Sequence, residues 1–540
     1  MSSLFSSSHS HAHHPAASPS RNLMTLHIRC LLLLAFSLLG RQAQAASPAG
    51  TTNSEITSTP TRCDVAAVGG GWAGVYFAYR YLTGSSVDPT KICLFEATDR
   101  IGGRTYSKNF ELTSPSGSID KFVLDVGAYR FSPDMHLPGD VILHKLKLPT
   151  ACYEPDCEPA SKDFPPPFVF NYTAPLSRIV DPVTKLPAGY VTAMNKMVEE
   201  LEQMGAHVGR GMKLVNIKPT AGRGTTLSFA GGAEVQAGRV LLNLPRTPML
   251  SLPAVQTLSD KTVKILKCVK FDKPKSLFPH TTFGKSLTKA YAFYDDAWWY
   301  NELNLTEGQW PLNAFLPMPT SEGIPIGIHF NDGPVICDSP GKGCRGFLEV
   351  YYATQNQTFF DDLKSGPYDP SGILNATMPE GQTKLKKLHS AIMEATLPLF
   401  KNRSVAQPQI PPRMLVVGVW DRTGQGYTAP TKVYYSASMG DSMSKACGVP
   451  SLTEKEYRDT VLSPFGEEAK IHVANNDWVA QEVMSFFGDW AEESLLQAER
   501  ALKLLGVPKP EWLNTAYYNE KVLAFASRNA DEMSMASITV

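Results

Sequence analysis

The sequence predicts an α/β protein, α+β overall, with one parallel-sheet domain interleaved with a second, mixed-sheet domain. Three observations predict it. The 540 residues exceed what one hydrophobic core usually supports. The run Asp64-Val65-Ala66-Ala67-Val68 reads as a buried parallel strand and ends on three glycines. From about 251 to 410 the pattern turns mixed, aromatic-rich and loop-rich, unlike a second copy of the first unit.

The chain opens on processing information. Residues 1–23 are rich in Ser and His; the apolar run Cys30-Leu31-Leu32-Leu33-Leu34-Ala35-Phe36-Ser37-Leu38-Leu39 follows, then the small-x-small site Ala43-Gln44-Ala45. That run is short for a bilayer span, so residues 1–45 are expected to be a cleaved signal peptide. A secreted or luminal protein follows from this, with organellar import left open. Residues 46–62 read as a flexible Ser/Thr/Pro-rich leader. Sequons at Asn171, Asn304, Asn356, Asn375 and Asn402 fit N-glycosylation. Cys152/Cys157 and Cys337/Cys344 are spaced to close short loops, whereas Cys63 and Cys93 are expected to be buried free thiols. No cysteine spacing resembles a zinc site, and His9, His11, His13 and His14 would form a metal-binding tract only if the leader were retained.

Composition narrows the function classes. Hydrophobic residues make up 43% and charged residues 19%, as in ordinary globular proteins rather than disordered or fibrous ones. Lys and Arg number 51 against 51 Asp and Glu, so the broad basic footprint of a nucleic-acid binder is absent.

Taken in order, the elements build a strand–turn–helix–strand unit first. After the strand at 64–68 comes a helix-like stretch from Gly74 to Leu82, then the apolar run Ile92-Cys93-Leu94-Phe95 ending on Glu96. A helix with Met194, Met197, Val198 and Leu201 inward precedes strands at Met212–Ile217 and Thr225–Ala230. Ala230-Gly231-Gly232-Ala233 marks a hairpin turn, and Val240–Pro245 is another buried strand. Near the end, Ile471–Ala474 precedes an amphipathic helix from about Ala491 to Leu505, with a frayed tail after it.

Gly69-x-Gly71-x-x-Gly74 follows a strand and opens a helix, and Glu96 ends the next strand. This is a Rossmann-like, dinucleotide-binding pattern. Gly69 permits the tight turn, Gly71 lets a pyrophosphate approach, and Gly74 lets the helix pack closely. The helix start at Trp72 and Ala73 offers free N–H groups to phosphate, and Glu96 suits a ribose hydroxyl pair. Just beyond lies Asp99-Arg100-Ile101-Gly102-Gly103-Arg104-Thr105, where two glycines allow close approach and an arginine fork suits phosphate.

With that segment the sequence resembles the flavin-containing amine oxidase family, most closely its L-amino-acid oxidases. The resemblance implies noncovalent FAD, with Gly102, Gly103 and Arg104 along its diphosphate and ribityl chain. It implies that Val215 contacts adenine through its backbone. Asp489-Trp490-Ala491-Glu492-Glu493 resembles the family's helix start at the flavin pyrimidine, which puts Trp490 and Ala491 beside the cofactor, and Asn476 lies just upstream. Three departures stand out: Asn475-Asn476-Asp477 replaces the usual Gly-Glu, the segment to Trp490 is longer, and Glu493 replaces a glycine.

Leu124-Asp125-Val126-Gly127-Ala128-Tyr129-Arg130-Phe131 resembles the family segment whose arginine pairs with a substrate α-carboxylate. Arg130 is therefore the candidate carboxylate clamp, or else a structural ion-pair residue, with Ala128 and Tyr129 near the cofactor. Trp490 and Tyr427 are the candidate aromatic walls. The lysine that holds a water near the flavin is assigned to Lys267, with Lys264 as the other register, on a strand around Ile265-Leu266-Lys267-Cys268-Val269. The expected partners are a small-molecule substrate, an amino acid or amine, and molecular oxygen, with an oligomer left open; no nucleic-acid partner is expected. The implied reaction is oxidative deamination of an L-amino acid to a 2-oxo acid, ammonia and hydrogen peroxide. An amine or polyamine oxidase, a flavin desaturase or isomerase, and a catalytically silent binding protein are the alternatives. The expected division assigns 63–135, 205–250 and 411–510 to the FAD-binding domain and 136–204 and 251–410 to the substrate domain, with 511–540 a tail. Residues 321–345 read as an insertion or lid without an assigned role.

Overall fold

The computed structural model describes residues 59–132, 135–153, 176–220, 222, 224–268, 287–311, 317–353, 357–366, 368–420, 433–435, 444, 447–478, 480–482 and 491–523. Residues 1–45, expected to be a signal peptide, Cys157, the sequons at Asn171 and Asn356, Tyr427, Trp490 and the last 17 residues (524–540) lie outside them.

Strand β1 (Arg62–Val68) leads into helix α1 (Trp72–Gly84), which returns to β2 (Ile92–Phe95). The apolar runs in β1 and β2 are buried on both faces, as parallel strands covered by helices require. A hairpin of β3 (Ser107–Thr113) and β4 (Ile119–Asp125) follows. Helix α2 (Thr192–Gln203) puts Met194, Met197, Val198 and Leu201 into the core shared with α1. Then come β5 (His207–Gly209), β6 (Leu214–Thr220), β7 (Gly224–Phe229) and β8 (Glu234–Leu242). The β7–β8 turn uses Gly231 and Gly232 at φ 88° and 90°, where a Cβ would be strained.

The first sheet runs β5-β2-β1-β8-β7-β6. β1 lies parallel to β2 and β8, with Ala66 opposite both Cys93 and Val240. Cys63 and Cys93, expected to be free thiols, form a disulfide. Two half-cystines on adjacent strands satisfy burial as well as two thiols would, so apolar surroundings alone did not distinguish them. Helix α3 (Asp260–Lys267) packs Ile265 and Leu266 under this sheet. The segment carrying Lys264 and Lys267 was expected to be a strand. Its apolar pair sits next to a Ser259 N-cap, whose side chain accepts from Thr262 N, and helix wins.

The second sheet is antiparallel and centred on β9 (Leu287–Tyr294), flanked by β10 (Arg345–Ala353). Past the outer strand β11 (Ser371–Asn375), helix α4 (Pro379–Arg403) covers one face with Leu385, Leu388 and Ile392. Strand β12 (Met414–Trp420) pairs with both β9 and β11. It therefore belongs to the second sheet, although 411–510 was assigned to the first domain. Conversely, α2 and α3 pack with the first sheet, not the second. The β3–β4 hairpin covers the other face of the second sheet, with Phe122 edge-on to Phe293 and Phe347.

The chain returns to the first sheet as β13 (Ile471–Val473), parallel to β8, and ends on α5 (Ala491–Leu504) against α1. Residues 511–523 are not a loose tail: Leu513, Tyr518 and Val522 join the core of α1, α2 and α5. Among the described residues no helix is long and apolar enough to cross a membrane.

Candidate active site

The glycine turn is held too tightly for side chains. Gly69 has φ 104°, and a Cβ there would lie 2.2 Å from the Asn243 carbonyl oxygen. A Cβ on Gly74 would lie 2.0 Å from the Gly69 oxygen, so only glycine lets α1 close on β1. Gly71 and Gly103 face each other: a Cβ on Gly103 would come 3.1 Å from the Gly71 Cα. The Gly-Gly-Arg segment is joined to the turn by the Gly102 N–H donating to the Gly70 oxygen (2.8 Å). No side chain caps α1, and its first turn holds no acidic residue, so its N-terminal N–H groups face outward for an anion. Trp72 is buried and donates from Nε1 to Thr105 Oγ1 (3.1 Å); Ala73 is buried beneath it.

Glu96 ends β2 as expected. Its Oε2 accepts from Gly70 N (2.7 Å) and its Oε1 from Thr98 N and Oγ1 (2.9 and 2.8 Å). The backbone beside it is that of Gly209 and Met212, bonded to Glu96 N and O. Val215 lies elsewhere, on the edge strand β6, and is 42% exposed. The backbone segment next to Glu96 is 209–212.

Arg104 is held by the residues that depart from the family pattern. Its guanidinium donates to Asp477 Oδ1 (2.7 Å), Asn475 Oδ1 (2.9 Å) and Asn476 Oδ1 (2.6 Å). Asp477 is fully buried and its other oxygen accepts from Arg246 N (2.9 Å). Arg104 thus fastens the end of β13 to the glycine loop. Ala491 begins α5 and is half-buried.

A second cluster adjoins the first through the end of β4. Gly127 N and Ala128 N donate to the oxygens of Tyr106 and Arg104, both at 3.1 Å. Trp420 Nε1 donates to the Val126 oxygen (2.9 Å), which ties this segment to the second sheet. Beyond it, Tyr129 receives the Lys289 ammonium 3.5 Å from its ring centroid. The Arg130 guanidinium lies over both Tyr129 (4.8 Å) and Tyr153 (4.6 Å). Arg178 also lies over Tyr153 and donates to the oxygens of Tyr153 and Asn331.

Three carboxylates face these three cations. Burial pushes Asp125 up to about 6, against the hydrogen bonds of Ser107 and Tyr190 N that lower it. Asp332 is raised well above the carboxylate range by burial and by Glu349 beside it. Lys289 is 2% exposed, and burial lowers it to about 7 despite Glu349 and Asp125. The buried lysine of the site is therefore Lys289 on β9. Lys264 and Lys267 are exposed on α3, and Lys264 pairs with Asp260 at 2.6 Å. The missed signal was a lone lysine inside the apolar run Leu287–Tyr294; Glu349 inside β10 is the same kind of signal.

Residues 68–137 match the NAD(P)-binding Rossmann-like domain family. No curated protein matches the chain. Solved structures of putrescine oxidase are similar to it. The wild type bound to putrescine has 13% identity and a TM-score of 0.46, covering 83% of this chain and 100% of that one. A triple mutant of the same enzyme has 13% identity and a TM-score of 0.47, covering 82% and 99%.

Proposed function

We propose that the chain is an oxidase with noncovalent FAD that deaminates L-amino acids to 2-oxo acid and ammonia, reducing oxygen to hydrogen peroxide. The observation that carries this reading is the junction at 125–130. There the Gly-Gly-Arg segment is hydrogen-bonded to the strand end that carries Tyr129 and Arg130, against buried Lys289.

The residues present fit a dinucleotide. The space between Gly71 and Gly103 is one that added Cβ atoms would narrow, and α1 starts without a side-chain cap. Gly69, Gly71, Gly74 and the first turn of α1 would hold the diphosphate, and Glu96 the ribose. FAD, when bound, supplies the two-electron acceptor and passes the electrons to oxygen. Arg130, flanked by two rings, would take the substrate carboxylate through its fork and so aim the amine. Lys289 Nζ, with a pKa near 7, would accept the proton that an ammonium must lose before its Cα–H bond can be oxidised.

Release of FAD on denaturation, followed by a peroxide-coupled screen of L-amino acids and amines, tests the reading. Turnover of at least one L-amino acid is expected, with Arg130→Ala raising KM more than tenfold. Protein that releases no flavin would sink it. A second reading, oxidation of simple amines, is favoured by Asp332, which lies close enough to Arg130 to compete with a substrate for its guanidinium. Amine turnover unchanged in Arg130→Ala would select that reading.

Secretion belongs to the same proposal. It is supported by three disulfides among the described residues and by exposed sequon asparagines Asn304, Asn375 and Asn402. Mature protein in the medium, starting near residue 46 and shifting in mass on glycosidase treatment, is the expected result.

A further inference from the structure

Residues 321–345 fold onto the second sheet and bring together a set of groups the proposed oxidation does not use. The short strand Ile328–His329 sets His329 opposite Glu349 of β10, and Asp332 follows three residues later. His329 Nδ1 lies 2.7 Å from Glu349 Oε2 and 3.9 Å from Asp332 Oδ2. One ligand atom from each of the three lies within 4.8 Å of the others. The Asp332 and Glu349 side chains are fully buried, and His329 is 11% exposed.

None of the four carboxylate oxygens has a hydrogen bond of normal geometry; the Tyr129 hydroxyl beside Asp332 and the Tyr291 hydroxyl beside Glu349 are the protein's own nearest donors. Lys289 does not supply one, since its Nζ sits over the Tyr129 ring without a hydrogen-bond partner. Two buried carboxylates converging on one imidazole, with only two phenol hydroxyls beside them, are costly to keep ionised, and a cation between them removes that cost.

We propose that His329, Asp332 and Glu349 bind a divalent transition-metal ion. One imidazole nitrogen with carboxylate oxygens suits Zn²⁺ or Mn²⁺, whereas Ca²⁺ takes six or more oxygens and thiolate-loving ions find no sulfur here. Bonds of about 2.0–2.2 Å place ligand atoms some 3.3–4.2 Å apart, so the 4.8 Å cluster closes around an ion by a shift of under about 1.5 Å. The ion offsets both carboxylate charges and ties the 329–332 turn to the sheet next to the disulfide Cys337–Cys344.

The test uses the full mature chain, dialysed against chelator, loaded with Zn²⁺ or Mn²⁺ at equimolar concentration, gel-filtered and measured by mass spectrometry of the metal. About one equivalent of either ion is expected to remain, falling at least tenfold in Asp332→Asn and in His329→Ala. Thermal unfolding of the wild type should rise with the ion and fall back with chelator; this second readout stands even where a variant fails to fold. Retention below about a tenth of an equivalent, equal retention in both folded variants, or no metal-dependent thermal shift overturns the proposal.

Discussion

At Lys289 the surroundings set the chemistry. Burial is the largest influence and lowers it to about 7, while Glu349 and Asp125 pull the other way. The neutral amine therefore predominates above about pH 7 and the ammonium below. If the neutral form takes the substrate proton, kcat/KM rises through about pH 7, and the rise disappears in Lys289→Met along with roughly 10²–10⁴-fold of the rate. A stopped-flow or peroxide-coupled pH profile of both proteins checks this; an unchanged profile in the variant removes Lys289 from the reaction. Arg104 has a structural consequence of similar weight. Replacing it with Met strips Asp477, fully buried, of its guanidinium. Asp477 keeps the Arg246 N–H, so a loss of about 1–3 kcal/mol in urea unfolding is expected. Both positions show why residue roles were only partly legible. Arg104 stood in a contiguous motif, but its partners lie 371 to 373 positions away. Lys289 was visible only as a charge out of place in an apolar run, and the exposed lysines of α3 drew the assignment instead.

Among the elements, α1 depends on two glycines for different reasons, and their variants should part company. Gly74→Ala drives a Cβ to 2.0 Å from the Gly69 oxygen, so the helix must leave the strand; a loss of about 1–3 kcal/mol is expected, with no flavin retained. Gly71→Ala meets only the Asn243 amide at 3.0 Å, a side chain able to give way. That variant should unfold at the wild-type urea concentration and bind FAD at least tenfold more weakly by fluorescence titration. Equal affinity would mean the diphosphate does not pass Gly71. Helix α5 carries a titration instead. Glu492 is buried under the Leu137 N–H and the Tyr517 hydroxyl, and burial raises it to about 8 against an ordinary 4.5. The folded state then holds this proton more tightly than the unfolded chain does. Its stabilising contribution is complete below about 4.5 and is lost as pH rises through 8, at no more than about 1.4 kcal/mol per pH unit. Glu492→Gln should flatten that decline in urea unfolding measured from pH 5 to 8; an identical slope would exclude Glu492 as its source. The sequence showed α1, α2, β8 and α5 through periodicity and glycine punctuation. It hid α3, whose one apolar pair fits either period.

Across the whole molecule, the chain leaves the first sheet for the β3–β4 hairpin, returns at β5, leaves again after α3 and comes back at β13, and the longer excursion limits what a sequence-based division can see. The first strand–turn–helix–strand unit is local and was legible in the contiguous run Arg62–Phe95. The second sheet is built by pairing β10, β9, β12 and β11, strands scattered over more than a hundred residues, and no local pattern states which sheet a strand such as β12 will join. The excursion is closed at its neck. Cys268, just after α3, is bonded to Cys447, and both lie in the core under the first sheet. Their separation of 179 residues encloses all of β9, β10, β11, α4 and β12. By loop-closure entropy a cross-link of that span stabilises by up to about 5 kcal/mol, and measured values for native bridges run about 2–5 kcal/mol. The bond acts on the unfolded chain, so its removal need not disturb either sheet. Cys268→Ser combined with Cys447→Ser should therefore keep the wild-type far-ultraviolet spectrum, and any bound flavin, at low urea. Its unfolding free energy should fall by about 2–4 kcal/mol. Unfolding at the wild-type midpoint would show that packing alone holds the neck. Loss of the native spectrum without denaturant would show instead that the second sheet needs the bridge in order to form.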